Sequence, residues 1–172
     1  MTADQPVRVV AYDPAWPERF ELERAALESA IGAWIYGGVH HVGSTSVPGL
    51  EAKPTIDILV GVRDLAASRA CFAPLSALEY QYAPYRVEEM HWFCKPDAQR
   101  RTHHLHLVPA GSRRFDEELA FRDSLRRDGA LAADYAALKR GLAARFRDDR
   151  EAYTRAKADF IGAALEHARP FA

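Results

Sequence analysis

The stretch TIDILVGV, residues 55–62, constrains the fold more than any other part of the chain. It is almost continuously β-branched and aliphatic, the pattern of a strand covered on both faces at the centre of a sheet. Yet it carries Asp57 between Ile56 and Ile58. A carboxylate in a buried strand is costly unless it binds a cation or accepts hydrogen bonds, so the rest of the chain has to be built around it. Immediately upstream lies GSTSVPGLEAKP, residues 43–54, a loop rich in glycine, serine and proline. Gly43 allows a tight turn, the amides of residues 44–46 can form an anion nest, and the hydroxyls of Ser44, Thr45 and Ser46 can join them. Lys53, just before the strand, can neutralise phosphate oxygens. Each feature alone has an ordinary structural reading, as loop chemistry, a solvated lysine or an acid satisfied by backbone amides. Together they point to a phosphorylated ligand.

The remaining elements follow from periodicity and capping signals. Residues 7–12 read as a short strand, and Asp13-Pro14 opens a helix to about Gly32 whose Trp16, Phe20, Leu27, Ile31 and Trp34 share one face. Gly37-Gly38 reads as a break before a brief apolar run, Val39 to Val42. Residues 64–78 read as a helix, 79–86 and 90–94 as weak strands, and THHLHLVP, 102–109, as a strand by its alternation and terminal proline. Ser112 caps a helix with Asp116, Glu117 and Glu118 near its start and Arg126 and Arg127 at its end, and Gly129 reads as its stop. Two further helical stripes follow, Leu131 to Phe146 and Tyr153 to Ala164. This order predicts an α+β fold with one mixed sheet. The 172 residues are expected to form a single domain, a sheet core over about 1–110 and a helical C-terminal cap over about 111–172.

Charge narrows the partners. Lys plus Arg number 23 against 24 Asp plus Glu, a formal net charge of -1, so no global basic field draws in duplex nucleic acid. Only four of the cations are lysines, which makes each lysine informative. Cys71 and Cys94 lack zinc or disulfide spacing. The longest aliphatic run, Ile58 to Val62, is far below the ~18 residues a membrane span needs, so a cytoplasmic chain without membrane contact is expected.

Three of the seven histidines fall within residues 103–106. On a strand His104 and His106 share a face and His103 points the other way. If this strand neighbours that of Asp57, then Asp57, His104 and His106 form a candidate site for a divalent metal, Mg, Mn or Zn, with imidazole favouring the last two. In that reading Asp57→Asn abolishes metal binding and raises metal-free stability, while His103→Ala has no effect on the metal. The alternative is that the histidines simply hydrogen-bond loop and backbone groups. Arg101, before the strand, is a candidate for holding the anionic ligand, beside Gly43, Ser44, Thr45 and Lys53.

The strings HHVGSTSVPGLEAKPTIDILVGV and RTHHLHLVP, with FRDSLRRDG, YAALKRGLA and KADFI in the C-terminal third, resemble the GrpB-like family, which is assigned to the nucleotidyltransferase superfold. Similar segments also occur attached to some dephospho-coenzyme A kinases. The resemblance covers nearly the whole chain and implies a superfold pattern of an apolar residue, Gly, then Gly or Ser, followed by a strand with two alternate carboxylates that hold catalytic divalent cations. Val42, Gly43 and Ser44 match the first element and Asp57 the second carboxylate, but Thr55 stands where the first belongs. Two expectations result. One is a metal-dependent nucleotidyltransferase acting on a nucleoside triphosphate, with Asp57, His104 and His106 catalytic. The other is an inactive nucleotide- or coenzyme-binding module of the same fold. HHLHLVP is also similar to the histidine-triad motif of nucleotide hydrolases, but Val108 replaces its third histidine.

Overall fold

In the computed structural model, which describes residues 6–168, a five-stranded mixed sheet runs in the order β1-β2-β5-β4-β3. The strands are β1 (Ile35–Val42), β2 (Ile56–Val62), β3 (Gln81–Tyr82), β4 (His91–Lys95) and β5 (His103–Pro109). Helix α1 (Trp16–Ile31) precedes them, α2 (Leu65–Ser68) and α3 (Phe72–Ala77) sit between β2 and β3, and α4 (Arg113–Arg127), α5 (Gly129–Arg145), α6 (Arg150–Arg155) and α7 (Ala158–Ala168) complete the chain. The fold class is α+β with a helical C-terminal part. β2 and β5 are parallel and every other strand pair is antiparallel.

Strand parity divides the sheet into two unlike faces. Ile56, Ile58, Val60 and Val62 of β2 and Leu105 and Leu107 of β5 pack against Trp16, Phe20, Leu27 and Ile31 of α1, forming the main core. The opposite face carries Leu59 and Val108, packed with Val42, Met90 and Phe115 of α4. Further along that face come Asp57, His104 and His106. A third cluster joins the loop after β1 to the C-terminal helices, with Val47 and Leu50 against Leu125, Tyr135 and Ala136.

Four expectations need correction. Residues 7–12 form no strand: only Val10 bridges to Ala52, while the Val7 amide donates to the Arg147 carbonyl, so this segment ties the loop and cap together. The Gly37-Gly38 pair lies inside β1, because Gly37 meets Gly61 backbone to backbone where the register shifts; a Cβ on Gly61 would sit 2.6 Å from Gly37 Cα. Gly129 starts a helix rather than stopping one, since the Asp128 carboxylate accepts from the amides of Ala130 and Leu131 and caps α5. The last stripe is two helices, α6 and α7, with Lys157 in the turn between them.

The glycine contact yields a paired prediction. Gly61→Ala forces two strand backbones apart and is expected to destabilise by about 1–3 kcal/mol. Gly141→Ala, in α5 with nothing near its Cβ, is expected to stabilise by up to about 1 kcal/mol. Urea denaturation of the two variants beside the parent checks both signs.

Candidate functional site

The site is built from the β1–β2 loop, the start of β2 and β5, and the cap. Gly43 has φ 69° and ψ −176°, a conformation open essentially to glycine alone. Its Cα hydrogens face the Asp57 carboxyl so closely that a Cβ here would fall 2.9 Å from Asp57 Cγ. Glycine is therefore required twice, for the turn and for the approach to Asp57. The 3-10 turn that follows, Ser44–Ser46, uses its own polar groups: the Ser46 amide and hydroxyl both donate to the Gly43 carbonyl, and the Val47 amide donates to that of Ser44. Thr45 is buried, its hydroxyl donating to the Thr55 carbonyl and accepting from His41 Nε2. Burial pushes the His41 imidazole down to about 4, with the Asp57 charge opposing and Arg126 and Arg122 assisting, so the ring is neutral in this brace. Of the three hydroxyls expected at a ligand, Thr45 and Ser46 hold the turn together. Ser44 faces the cap, hydrogen-bonded to the Tyr135 hydroxyl.

The parallel register sets Asp57 directly beside His104, and Leu59 beside His106. Asp57 Oδ1 accepts from His104 Nδ1 at 2.8 Å. Burial opposes ionisation of Asp57, but this hydrogen bond and the charges of His104, His106 and Lys53 more than offset it and hold the carboxyl at about 2. Its side chain still keeps 27% of its surface open, so it is not a fully enclosed core residue. His106 turns away from Asp57: its Nδ1 lies 3.0 and 3.2 Å from the Glu118 oxygens, and Glu118 also binds Arg114 at 3.0 Å. Despite burial, which lowers it, the Glu118 charge raises the His106 imidazole above its usual value. His103 points to the opposite face, 3.9 Å from Glu23, as strand parity requires.

This arrangement does not gather Asp57, His104 and His106 around one point. Among the described residues no three His, Cys, Asp or Glu side chains are gathered where they could hold a metal ion. The reasons are visible in the partners. His106 is engaged by Glu118, and Asp57 is the acceptor of His104. At the position of the superfold's other carboxylate, Thr55 donates its hydroxyl to the Arg101 carbonyl. Asp57, His104 and His106 therefore do not make a three-ligand set in this arrangement, and Lys53 adds positive charge near Asp57.

Beyond the two histidines, the positive charge that acts on Asp57 comes from Lys53, and Asp57 in turn acts on two further lysines. Lys53, Lys139 and Lys157, three of the four in the chain, all feel the field of Asp57. Burial lowers each of them, Lys53 to about 8 and Lys139 to about 7. Lys157 presses on both, and Arg150 and Arg101 press further on Lys53. The two cap lysines are presented alike. Lys139 Nζ lies 4.8 Å over the Tyr135 ring and Lys157 Nζ 4.5 Å over that of Tyr153. Both pairs have the i,i+4 spacing Tyr-x-x-x-Lys, as YAALK and YTRAK. That repeated spacing is the sequence signal that would have found them. Lys139 also donates to the Glu51 carbonyl, and Arg126 donates twice to that of Ser46, so the cap clasps the loop it faces. Arg101 sits at the rim, its guanidinium 5.2 Å from the Trp92 ring centre. Glu118, masked in the sequence by its acidic neighbours, was the other residue missed.

Asp57 is thus the counter-charge for a basic cleft, which reverses the expectation that Asp57→Asn stabilises the metal-free chain. The substitution is expected to cost about 2 kcal/mol, because three lysines lose the carboxylate that supports their charge. The sign of the pH dependence follows from the direction of its shift: a carboxyl held below its unfolded value contributes stability above about pH 4 that is lost as pH falls towards 2. Urea denaturation at pH 7 and pH 3 should show a large difference between parent and variant at the first pH and a smaller one at the second.

Comparison with known proteins accords with this architecture. The GrpB protein family profile matches residues 6–167. The chain is 39% identical over 170 residues to UPF0157 protein PA4798 of Pseudomonas aeruginosa, covering 96% of this chain and 69% of that one. A crystal structure of the conserved protein GrpB from Enterococcus faecalis superimposes with a TM-score of 0.85 at 34% identity, covering 94% of this chain and 96% of that one. A dephospho-CoA kinase of Mycolicibacterium paratuberculosis is 31% identical over 183 residues, covering 90% of this chain but only 44% of that protein. With a family match across nearly its full length and relatives above 30% identity, the chain belongs to the GrpB family.

Proposed function

We propose that this protein binds a phosphorylated small molecule, a nucleotide or coenzyme, in the cleft between the Gly43–Ser46 turn and the C-terminal helices, and that it does so without a metal. The observation that carries the reading is the convergence of Lys53, Lys139 and Lys157 on one carboxylate, each with its charge disfavoured by burial. Buried cations that outnumber their counter-ions are stabilised by an arriving anion, and phosphate oxygens match several ammonium groups at once. Ser44 and the rim residue Arg101 add donors at the same mouth. The dephospho-CoA kinase among the relatives is consistent with a coenzyme or nucleotide as guest.

Of the two expectations drawn from the superfold resemblance, the binding module is favoured over metal-dependent nucleotidyl transfer. Transfer of that kind needs paired carboxylates to hold cations that activate the incoming hydroxyl. Thr55 occupies the position of one, and Asp57 is committed to His104.

Binding should be visible in protons. Lys53 and Lys139, lowered to about 8 and about 7, are partly neutral at pH 8. A bound phosphate raises them, so protons are taken up, on the order of half a proton or more per ligand. Titration calorimetry of pyrophosphate and ATP at pH 8, in two buffers of different ionisation enthalpy, measures this uptake. Lys157→Ala and Lys53→Ala are each expected to weaken binding by about tenfold or more, with Ser44→Ala weaker by less. Affinity unchanged in both lysine variants would remove the cleft from consideration.

A further inference from the structure

The Asp57–His104 pair leaves one atom unaccounted for. The Asp57 carboxylate only accepts, so the hydrogen in their 2.8 Å contact is on His104 Nδ1. In the neutral ring the other nitrogen, Nε2, is then a lone-pair acceptor. It is buried and has no hydrogen-bond partner among the described residues. An unmet buried acceptor is costly, and almost none of the surface of Nε2 is open to bulk water. Whatever satisfies it therefore comes in with a molecule that the cleft encloses.

The neighbourhood selects the chemistry of that partner. A cation would find no gathered set of three ligands here among the described residues, and the Lys53 charge lies within electrostatic reach of the ring. A neutral donor fits. Trp92 closes one side, its ring centre 5.0 Å from that of His104. Asp57 is shared between the two halves of the cleft, orienting His104 on one side and supporting the lysines on the other. A donor at Nε2 and a phosphate at the lysines thus belong to one guest.

We propose that His104 Nε2 accepts a hydrogen bond from a hydroxyl of the ligand, with Asp57 fixing the ring in the accepting form, so that the guest is a phosphate ester bearing a free hydroxyl, as in a sugar phosphate or the ribose of a nucleotide. This rests on the phosphate-binding reading above. It adds a specificity that charge alone does not provide, because lysines hold inorganic phosphate as readily as an ester.

The test compares matched ligands by calorimetry: ATP with 2′,3′-dideoxy-ATP, and glycerol 3-phosphate with propyl phosphate, with pyrophosphate as a reference lacking any hydroxyl. The parent protein is expected to prefer the hydroxylated member of at least one pair by about tenfold or more. His104→Phe, which keeps a ring against Trp92, should bring that ratio close to one. Asp57→Asn, nearly isosteric, should do the same by releasing the tautomer. Because the effect is read as a ratio within a pair, a general loss of affinity does not imitate it. Equal affinities within both pairs for the parent, alongside measurable pyrophosphate binding, would overturn the hydroxyl assignment while leaving the lysine site standing. No binding of any phosphate compound would overturn both. Stoichiometric zinc or manganese binding that disappears in His104→Phe would overturn it in favour of a cation at Nε2.

Discussion

A carboxylate on an interior strand of a sheet is the constraint from which the rest of this structure follows. Asp57 needs partners that the apolar residues around it do not supply, and each neighbouring element answers that need. The parallel pairing of β2 with β5 puts His104 beside it as a donor. Gly43 gives up its side chain so that the turn can approach it. Its charge supports the ammonium groups of Lys53 in the loop and of Lys139 and Lys157 in the cap. The balance is deliberately lopsided in its consequences: one ionised acid stabilises the fold only while several buried ammonium groups are left short of counter-charge. Such an excess is the electrostatic description of an anion site.

In the proposed site the C-terminal helices are half of the binding surface rather than a lid over a finished one. Tyr135 and Lys139 from α5, and Tyr153 and Lys157 from α6 and the turn after it, reach the cleft on the same one-turn spacing. α4 and α5 hold the loop from outside, through Val47 and Leu50 in an apolar cluster and through the contacts of Arg122 and Arg126 of α4 to the His41 and Ser46 carbonyls. Packing that stabilises the cap and geometry that shapes the site are carried by one set of contacts.

Much of this was legible in the sequence. TIDILVGV and THHLHLVP announced themselves as strands by composition and alternation, and parity alone separated His104 from His103. The α+β class and the helical C-terminal part followed from element order. What escaped was decided by contacts between distant segments. Gly37-Gly38 reads as a break until Gly61 is seen against it, and Gly129 reads as a stop although Asp128 caps the next helix. The metal assignment for Asp57, His104 and His106 treated three shared-face residues as convergent. Glu118, undistinguished within an acidic run, holds His106 Nδ1. Lys139 and Lys157 lie within helical stripes that look like ordinary core faces, and only the fold brings them to Asp57.

With four lysines in the chain, the most direct measurement is a pH titration of the lysine side chains by carbon-13 NMR, without ligand and then with saturating pyrophosphate. The account predicts that Lys53, Lys139 and Lys157, assigned by single substitution to Arg, titrate below the usual lysine range and that all three move upward when pyrophosphate is bound. Three ordinary titrations, or depressed ones that pyrophosphate leaves in place, would contradict it.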